Sequence, residues 1–310
     1  MDHSAWFAMM KPAFQVARAV ITATIFIGLQ ACVPVAQRPH SGQNEFILVG
    51  AGDIAQCGKD SADQSRAAQT ALLLDKIDGV VFAAGDLAYP GGTASEFQNC
   101  YHLSWGRFKR RTLPVPGNHE YVSTNAQPYY DYWGAQAGEP GKGYYATQLG
   151  AWRILALNSN IDAGIDSDQA RWLRNELTQH TPRCTLAFWH HPLFSSGKHG
   201  DDPKMAALWT LLFNAGADLV ITAHEHDYER FVPLNDRGEQ DDERGMRQFI
   251  VGTGGAKLRQ FERIHPHSEV RNNETFGVIK LTLKPDNYKW QFIPVDGQAF
   301  HDEGEGRCHD

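Results

Sequence analysis

The chain has 310 residues, 42% hydrophobic and 21% charged, a globular balance long enough for one large domain or two small ones. Its formal charge is −7 with both signs mixed along the sequence, so composition implies neither a nucleic-acid partner nor a phosphoinositide surface. The same balance argues against long-range steering of an anion, which leaves any attraction for one to local charge.

Lys11 and Arg18 precede an uncharged run over residues 19–29, followed by Gln30, Ala31 and Cys32. A positive region, a short apolar core and small residues predict an export signal over residues 1–32. Leu29-Gln30-Ala31-Cys32 resembles a bacterial lipobox, in which Cys32 carries the lipid that anchors the protein to a membrane. An uncleaved anchor and an ordinary cleaved signal are the other readings, although Pro34 and the glutamines suit a spanning helix poorly. All three export the protein, to the periplasm or cell envelope. Residues 33–45 are polar and proline-bearing and read as a tether, so the domain is expected over 46–310, its last part a C-terminal tail.

From Phe46 onward short apolar runs alternate with turns rich in Gly, Asp, Asn or His. The runs 46–51, 80–84, 112–115, 185–189 and 217–222 read as strands. Helical patterns cover 62–77, 168–177 and 204–214 between them, which predicts an α/β architecture. The runs 248–251, 276–283 and 288–295 lack intervening helices and read as antiparallel β, with Pro285-Asp286-Asn287 as a hairpin turn.

A polar cluster follows each of the first five strands: Gly52-Asp53-Ile54-Ala55, Gly85-Asp86-Leu87-Ala88-Tyr89, Gly117-Asn118-His119-Glu120, His190-His191-Pro192 and His224-Glu225-His226. Ligands of open α/β sheets bind beyond the carboxyl ends of the strands, so the clusters converge on one edge. Carboxylate, phenol, amide and imidazole together suit iron, zinc or manganese. Each cluster alone could be a capped turn; five in one order at strand ends are hard to produce that way.

The series Gly-Asp, Gly-Asp-x-x-Tyr, Gly-Asn-His-Glu, His-x-Pro and His-x-His resembles that of the calcineurin-like phosphoesterases. Many members carry a histidine two residues after the first aspartate, where this chain has Ala55. Purple acid phosphatases lack that histidine and supply a tyrosine three residues after the second aspartate, here Tyr89. The segment 223–230, the Gly252–Gly255 loop and the β-rich tail also look like that branch, in its small single-domain bacterial form. The resemblance implies an αββα sandwich, an α/β (α+β) fold, carrying two metal ions. It implies Asp53, Asp86, Tyr89 and His226 on the first ion, iron(III). Asp86 would bridge, and Asn118, His190 and His224 would complete a second site for iron(II), zinc or manganese.

A bridging anion also follows from the repulsion of two close cations, and a phenolate needs a strongly acidic metal to stay ionised at neutral pH. A hydroxide at the metals could then attack phosphorus in line. His119, beside a ligand but not needed as one, is the candidate general acid or charge stabiliser. His199, nine residues after His190, resembles a substrate-contacting histidine of the family. His191 either supports the ligands or packs, and His102, His180, His265, His267 and His301 lack the strand-end context.

Setting Cys32 aside leaves four cysteines and three possible pairings. Cys57 with Cys100 is preferred because both follow motifs that must converge. Cys184 with Cys308 would then pin the tail to a central strand. The expected activity is hydrolysis of small-molecule phosphomonoesters, in the manner of an acid phosphatase. A phosphodiesterase or pyrophosphatase on the same site, and a non-catalytic surface lipoprotein, are the alternatives.

Overall fold

The apolar run Phe-Ile-Leu-Val-Gly-Ala forms β1 (Phe46–Ala51), the first strand of a computed structural model that describes residues 45–58 and 64–309. The export segment with Cys32, the tether up to residue 44 and the expected start of the first helix lie outside the described residues. Next come β2 (Ala55–Gln56), α1 (Arg66–Asp75), β3 (Val80–Ala84), β4 (Ala88–Tyr89), the single turn α2 (Ala94–Glu96), β5 (Thr112–Val115) and α3 (Gln127–Trp133). The middle holds β6 (Tyr145–Leu149), β7 (Trp152–Ala156), α4 (Asp168–Gln179), β8 (Cys184–Phe188), α5 (Ala206–Asn214) and β9 (Leu219–Thr222). Strands then follow without α-helices: β10 (Tyr228–Leu234), β11 (Met246–Val251), β12 (Ser268–Asn272), β13 (Gly277–Leu283), β14 (Asn287–Pro294) and β15 (Glu303–Arg307).

The strands make a six-stranded sheet in the order β15-β14-β13-β1-β3-β5 and a seven-stranded sheet in the order β12-β10-β11-β9-β8-β7-β6. Period-two alternation divides the second sheet between two cores. Leu186, Phe188, Ile221 and Phe249 share a buried cluster with Leu48, Phe82 and Leu281 of the first sheet, and the Phe82 and Phe188 rings meet at 6.0 Å. Their neighbours Leu155, Ala187, Val220 and Ile250 face the other way, onto Leu173 of α4 and Leu208, Trp209 and Leu212 of α5. α1 covers the six-stranded sheet through Ala67, Ala71 and Leu74, spaced at helical intervals. The result is helix, sheet, sheet, helix, the αββα sandwich. A Phe truncated in such a core costs about 3–5 kcal/mol.

Local chemistry starts the helices. Ser65 accepts from the Ala68 N–H at 3.1 Å and Ser167 from the Ala170 N–H at 3.0 Å, each an N-cap. Thr70 of α1 donates to the Gly254 carbonyl at 2.6 Å, tying the helix to the glycine-rich loop beside the site.

Three features depart from the sequence reading. β11 pairs antiparallel with β10 but parallel with β9, so the run 248–251 is not purely antiparallel. β10 hides in a polar motif, because Glu229 and Arg230 are buried and paired, Arg230 with Asp302 and Glu269. The tail is a strand: β15 extends the six-stranded sheet beyond β14, and the Cys184–Cys308 disulfide then joins it to the start of β8 in the other sheet. The second disulfide joins Cys57 to Cys100. Among the described residues no helix is long and apolar enough to cross a membrane.

Candidate metal centre

β1, β3 and β5 run parallel in one sheet, and β8 and β9 run parallel in the other. Their carboxyl ends meet where the sheets are stitched together by the Gly52 N–H to the Val251 carbonyl, 2.8 Å, and His190 Nδ1 to the Ala84 carbonyl, 2.8 Å. Asp53, Asp86 and His224 leave their strands at φ 55°, 52° and 70°. This left-handed turn is uncommon for residues with a Cβ, and it throws all three side chains across the strand ends. Glycine is required beside them. A Cβ on Gly85, itself at φ 84°, would lie 2.5 Å from His190 Nδ1, and one on Gly117 would lie 2.1 Å from Asp86 Oδ1.

Backbone N–H groups fix one oxygen of each aspartate. The His224 N–H donates to Asp53 Oδ2 and the His119 N–H to Asp86 Oδ1, both at 2.8 Å. The free oxygens face the site. Tyr89 Oη lies 2.6 Å from Asp53 Oδ1, 3.1 Å from Asp86 Oδ2 and 3.2 Å from His226 Nε2. Asp86 Oδ2 also lies 3.2 Å from His190 Nε2, which in turn lies 3.2 Å from both Asn118 Oδ1 and His224 Nδ1. Two donor sets therefore share a single carboxylate oxygen.

These donors fit cations. His190 gives its Nδ1–H to the Ala84 carbonyl, and His226 gives its Nδ1–H to the Lys257 carbonyl at 2.7 Å. In those tautomers both Nε2 lone pairs point inward, the arrangement that orients histidine ligands. Tyr89 has one proton among three acceptors, so several buried lone pairs converge with too few protons to satisfy them. Asp53, Asp86 and His190 form one fully buried group able to hold an ion; the buried His190 and His191 form a second with the half-buried His224.

Electrostatics point the same way. Burial pushes the Tyr89 hydroxyl well up, and the Asp53 and Asp86 charges add to it. Burial would also disfavour charge on Asp86 and on His190, yet their mutual attraction wins. Asp86 stays well below the usual carboxylate range, and His190 is raised to about 9. The field that holds a proton on His190 equally favours a metal cation in its place. Burial pushes His191 down to about 2 and His224 lower still, with His190 close to both.

The structure brings all seven candidate ligands together, with His119 and His199 at the rim. The His119 ring packs tilted against Tyr89 at 4.3 Å, gives its Nδ1–H to the Pro90 carbonyl at 2.6 Å and turns Nε2 to 3.7 Å from Asp86 Oδ2. His199 is exposed and packs tilted against His224 at 4.4 Å. His191 Nδ1 meets Ser159 Oγ at 2.7 Å. Of the set-aside histidines, His102 bonds the Tyr132 hydroxyl and His265 packs between Phe194 and Phe231.

Sequence reasoning gives no role to several supporting groups. Glu120, fully buried, accepts from the N–H groups of Asp86, Leu87 and Gly117 at 2.9, 2.8 and 2.7 Å, clamping the two loops that carry Asp86 and Asn118. Burial, with Asp86 close by, raises its carboxyl to about 7. Glu225 accepts the His199 N–H at 2.6 Å and so seats that histidine. Arg259 N–H donates to the His226 carbonyl at 3.0 Å. Glu120 and Glu225 were visible inside their motifs; the partners that define their roles come from distant loops.

The family model of the calcineurin-like phosphoesterases matches residues 27–228, most of the chain. The chain belongs to that family. Within it, this calcineurin-like phosphoesterase lies on the purple acid phosphatase-like branch. It is 28% identical over 266 residues to purple acid phosphatase 18 of Arabidopsis thaliana, covering 75% of this chain and 56% of that one. It is 29% identical to probable purple acid phosphatase 20 of the same plant, covering 69% and 55%. The chain thus spans about half the length of the curated relatives it matches. In fold it resembles a purple acid phosphatase from yellow lupin (Lupinus luteus) seeds, with a TM-score of 0.68 at 20% identity, covering 84% of this chain and 53% of that one.

Proposed function

We propose that this phosphoesterase hydrolyses phosphate monoesters at a dinuclear metal centre. The observation that carries the reading is Asp86 Oδ2, common to a Tyr89, Asp53 and His226 set and to an Asn118, His190 and His224 set. Two cations, iron(III) beside Tyr89 and iron(II), zinc or manganese in the other set, would supply an acidified water and neutralise phosphate charge. Asp86 would keep them together as the anion between them. Tyr89 would serve the more acidic ion, since a phenol gives up its proton only near pH 10 in water.

In the reaction a water oxygen bonds to phosphorus, the ester P–O bond breaks and the leaving alkoxide takes a proton. His119 Nε2 is turned toward the site and is the group we assign to that proton. His199, seated by Glu225, would contact the substrate. Two disulfides support an exported protein, and we place it in the periplasm or cell envelope with Cys32 as its lipid anchor. Turnover of p-nitrophenyl phosphate and bis-p-nitrophenyl phosphate by metal-loaded protein tests the reading. Faster release from the monoester is expected, and a preference for the diester would overturn the monoesterase assignment.

A further inference from the structure

The cavity in front of the centre holds about 640 Å³, and Tyr89, His119 and His226 line it. That is far more room than one phosphoryl group fills, so the site also accommodates the leaving group. Lys198, Lys257 and Arg259 line the same cavity, and among the described residues lining it none is acidic. The chain as a whole carries more acidic than basic residues, 36 against 29.

Elsewhere on the surface lysines and arginines meet carboxylates, as Lys142 does Glu139 and Lys289 does Glu305. Among the described residues, Lys198, Lys257 and Arg259 meet none within 4.0 Å. Arg259 instead brings Nη1 to 3.4 Å from His199 Nε2. The buried Asp227 carboxyl has no hydrogen-bond partner, and burial, with Glu229, Glu225 and Asp53 close by, pushes it well above the usual carboxylate range against the opposing pull of Arg259. Lys257 and Arg259 are held in place by backbone, through the Lys257 carbonyl to His226 Nδ1 and the Arg259 N–H to the His226 carbonyl. The loop that orients one candidate ligand therefore also presents two of the cations.

We infer that Lys198, Lys257 and Arg259 form a second anion subsite, and that the preferred substrates are phosphomonoesters whose leaving group carries another phosphate. The inference rests on the phosphoesterase reading above. It supplies the local charge that a net-acidic chain needs to attract a polyanion.

The test compares kcat/KM for fructose 1,6-bisphosphate with that for fructose 6-phosphate, and for adenosine 3′,5′-bisphosphate with that for 5′-AMP. Metal-loaded parent protein should favour the bisphosphate about tenfold on both scaffolds, and about 0.3 M salt should erode the preference because Lys198 and Lys257 are solvent-exposed. The double variant Lys198→Gln, Lys257→Gln should bring the ratio near the statistical factor of about two while leaving Arg259 in place. A parent ratio near two, a preference confined to one scaffold, or a ratio that survives in the double variant would each overturn the subsite. If the protein turns over neither substrate, equilibrium binding of the same pairs reads the subsite by the same ratios. The missing turnover would then count against the phosphoesterase reading alone.

Discussion

The phenol oxygen of Tyr89 lies 3.1 Å from Asp86 Oδ2, the same oxygen that sits 3.2 Å from His190 Nε2. Asp86→Asn keeps the shape but removes the charge that both donor sets share. We expect it to lose more than the roughly 10- to 100-fold in metal affinity typical of groups that only support ligands, with activity falling in parallel. His191→Ala, whose Nδ1 is engaged by Ser159, should lose less than about tenfold. Metal titration of the two variants side by side measures this; equal losses would mean the shared oxygen is not the bridge.

Glu120 supports the centre without facing it. Replacing it with glutamine sets an NH2 group against backbone N–H donors that now meet a carboxylate oxygen. Destabilisation of about 1–3 kcal/mol is expected from the unsatisfied donors. Zinc affinity should fall together with the denaturation midpoint, because the loops of Asp86 and Asn118 loosen. An unchanged midpoint and affinity would contradict the clamp.

Much of this arrangement was legible in the chain itself. β1, β3 and β5 run as their apolar patterns predict, because fully buried parallel strands need uninterrupted apolar runs and their ends need glycine. The seven ligand candidates were legible for the same reason: each follows a strand whose end is fixed. β10 was not, since its Glu229 and Arg230 look solvated until Ser196, Asp302 and Glu269 pair with them. β12 and β15 are polar strands whose partners lie far along the sequence. The cationic lining of the cavity was equally hidden, because Lys198 meets Lys257 and Arg259 only across the folded cavity.

Asp218 gives a dependence on pH away from the centre. Burial raises its carboxyl to about 6, although N–H groups of Thr185 and His309 donate to it at 2.7 Å. A carboxyl raised on folding stabilises fully below its ordinary pKa, and that contribution is lost as pH rises through about 6. Between pH 4 and pH 7 the parent should lose on the order of 3 kcal/mol relative to Asp218→Asn. Urea denaturation of both proteins across that range reads the difference, and parallel curves would refute it.

Tyr89→Phe removes one donor oxygen and keeps the ring that packs against His119. Iron-loaded parent protein should absorb visible light through donation from the phenolate to iron(III). The variant should be colourless yet keep some activity, since Asp86 and the second donor set remain. A well-loaded but colourless parent would remove Tyr89 from the ligand set.

The most direct test of the centre is a metal titration of metal-free protein, with bound ions counted and p-nitrophenyl phosphate turnover followed in the same samples. Activity should climb until two ions are bound per chain and vanish on chelation. Protein that holds two ions and hydrolyses no phosphoester, or that is fully active with none, would contradict the account.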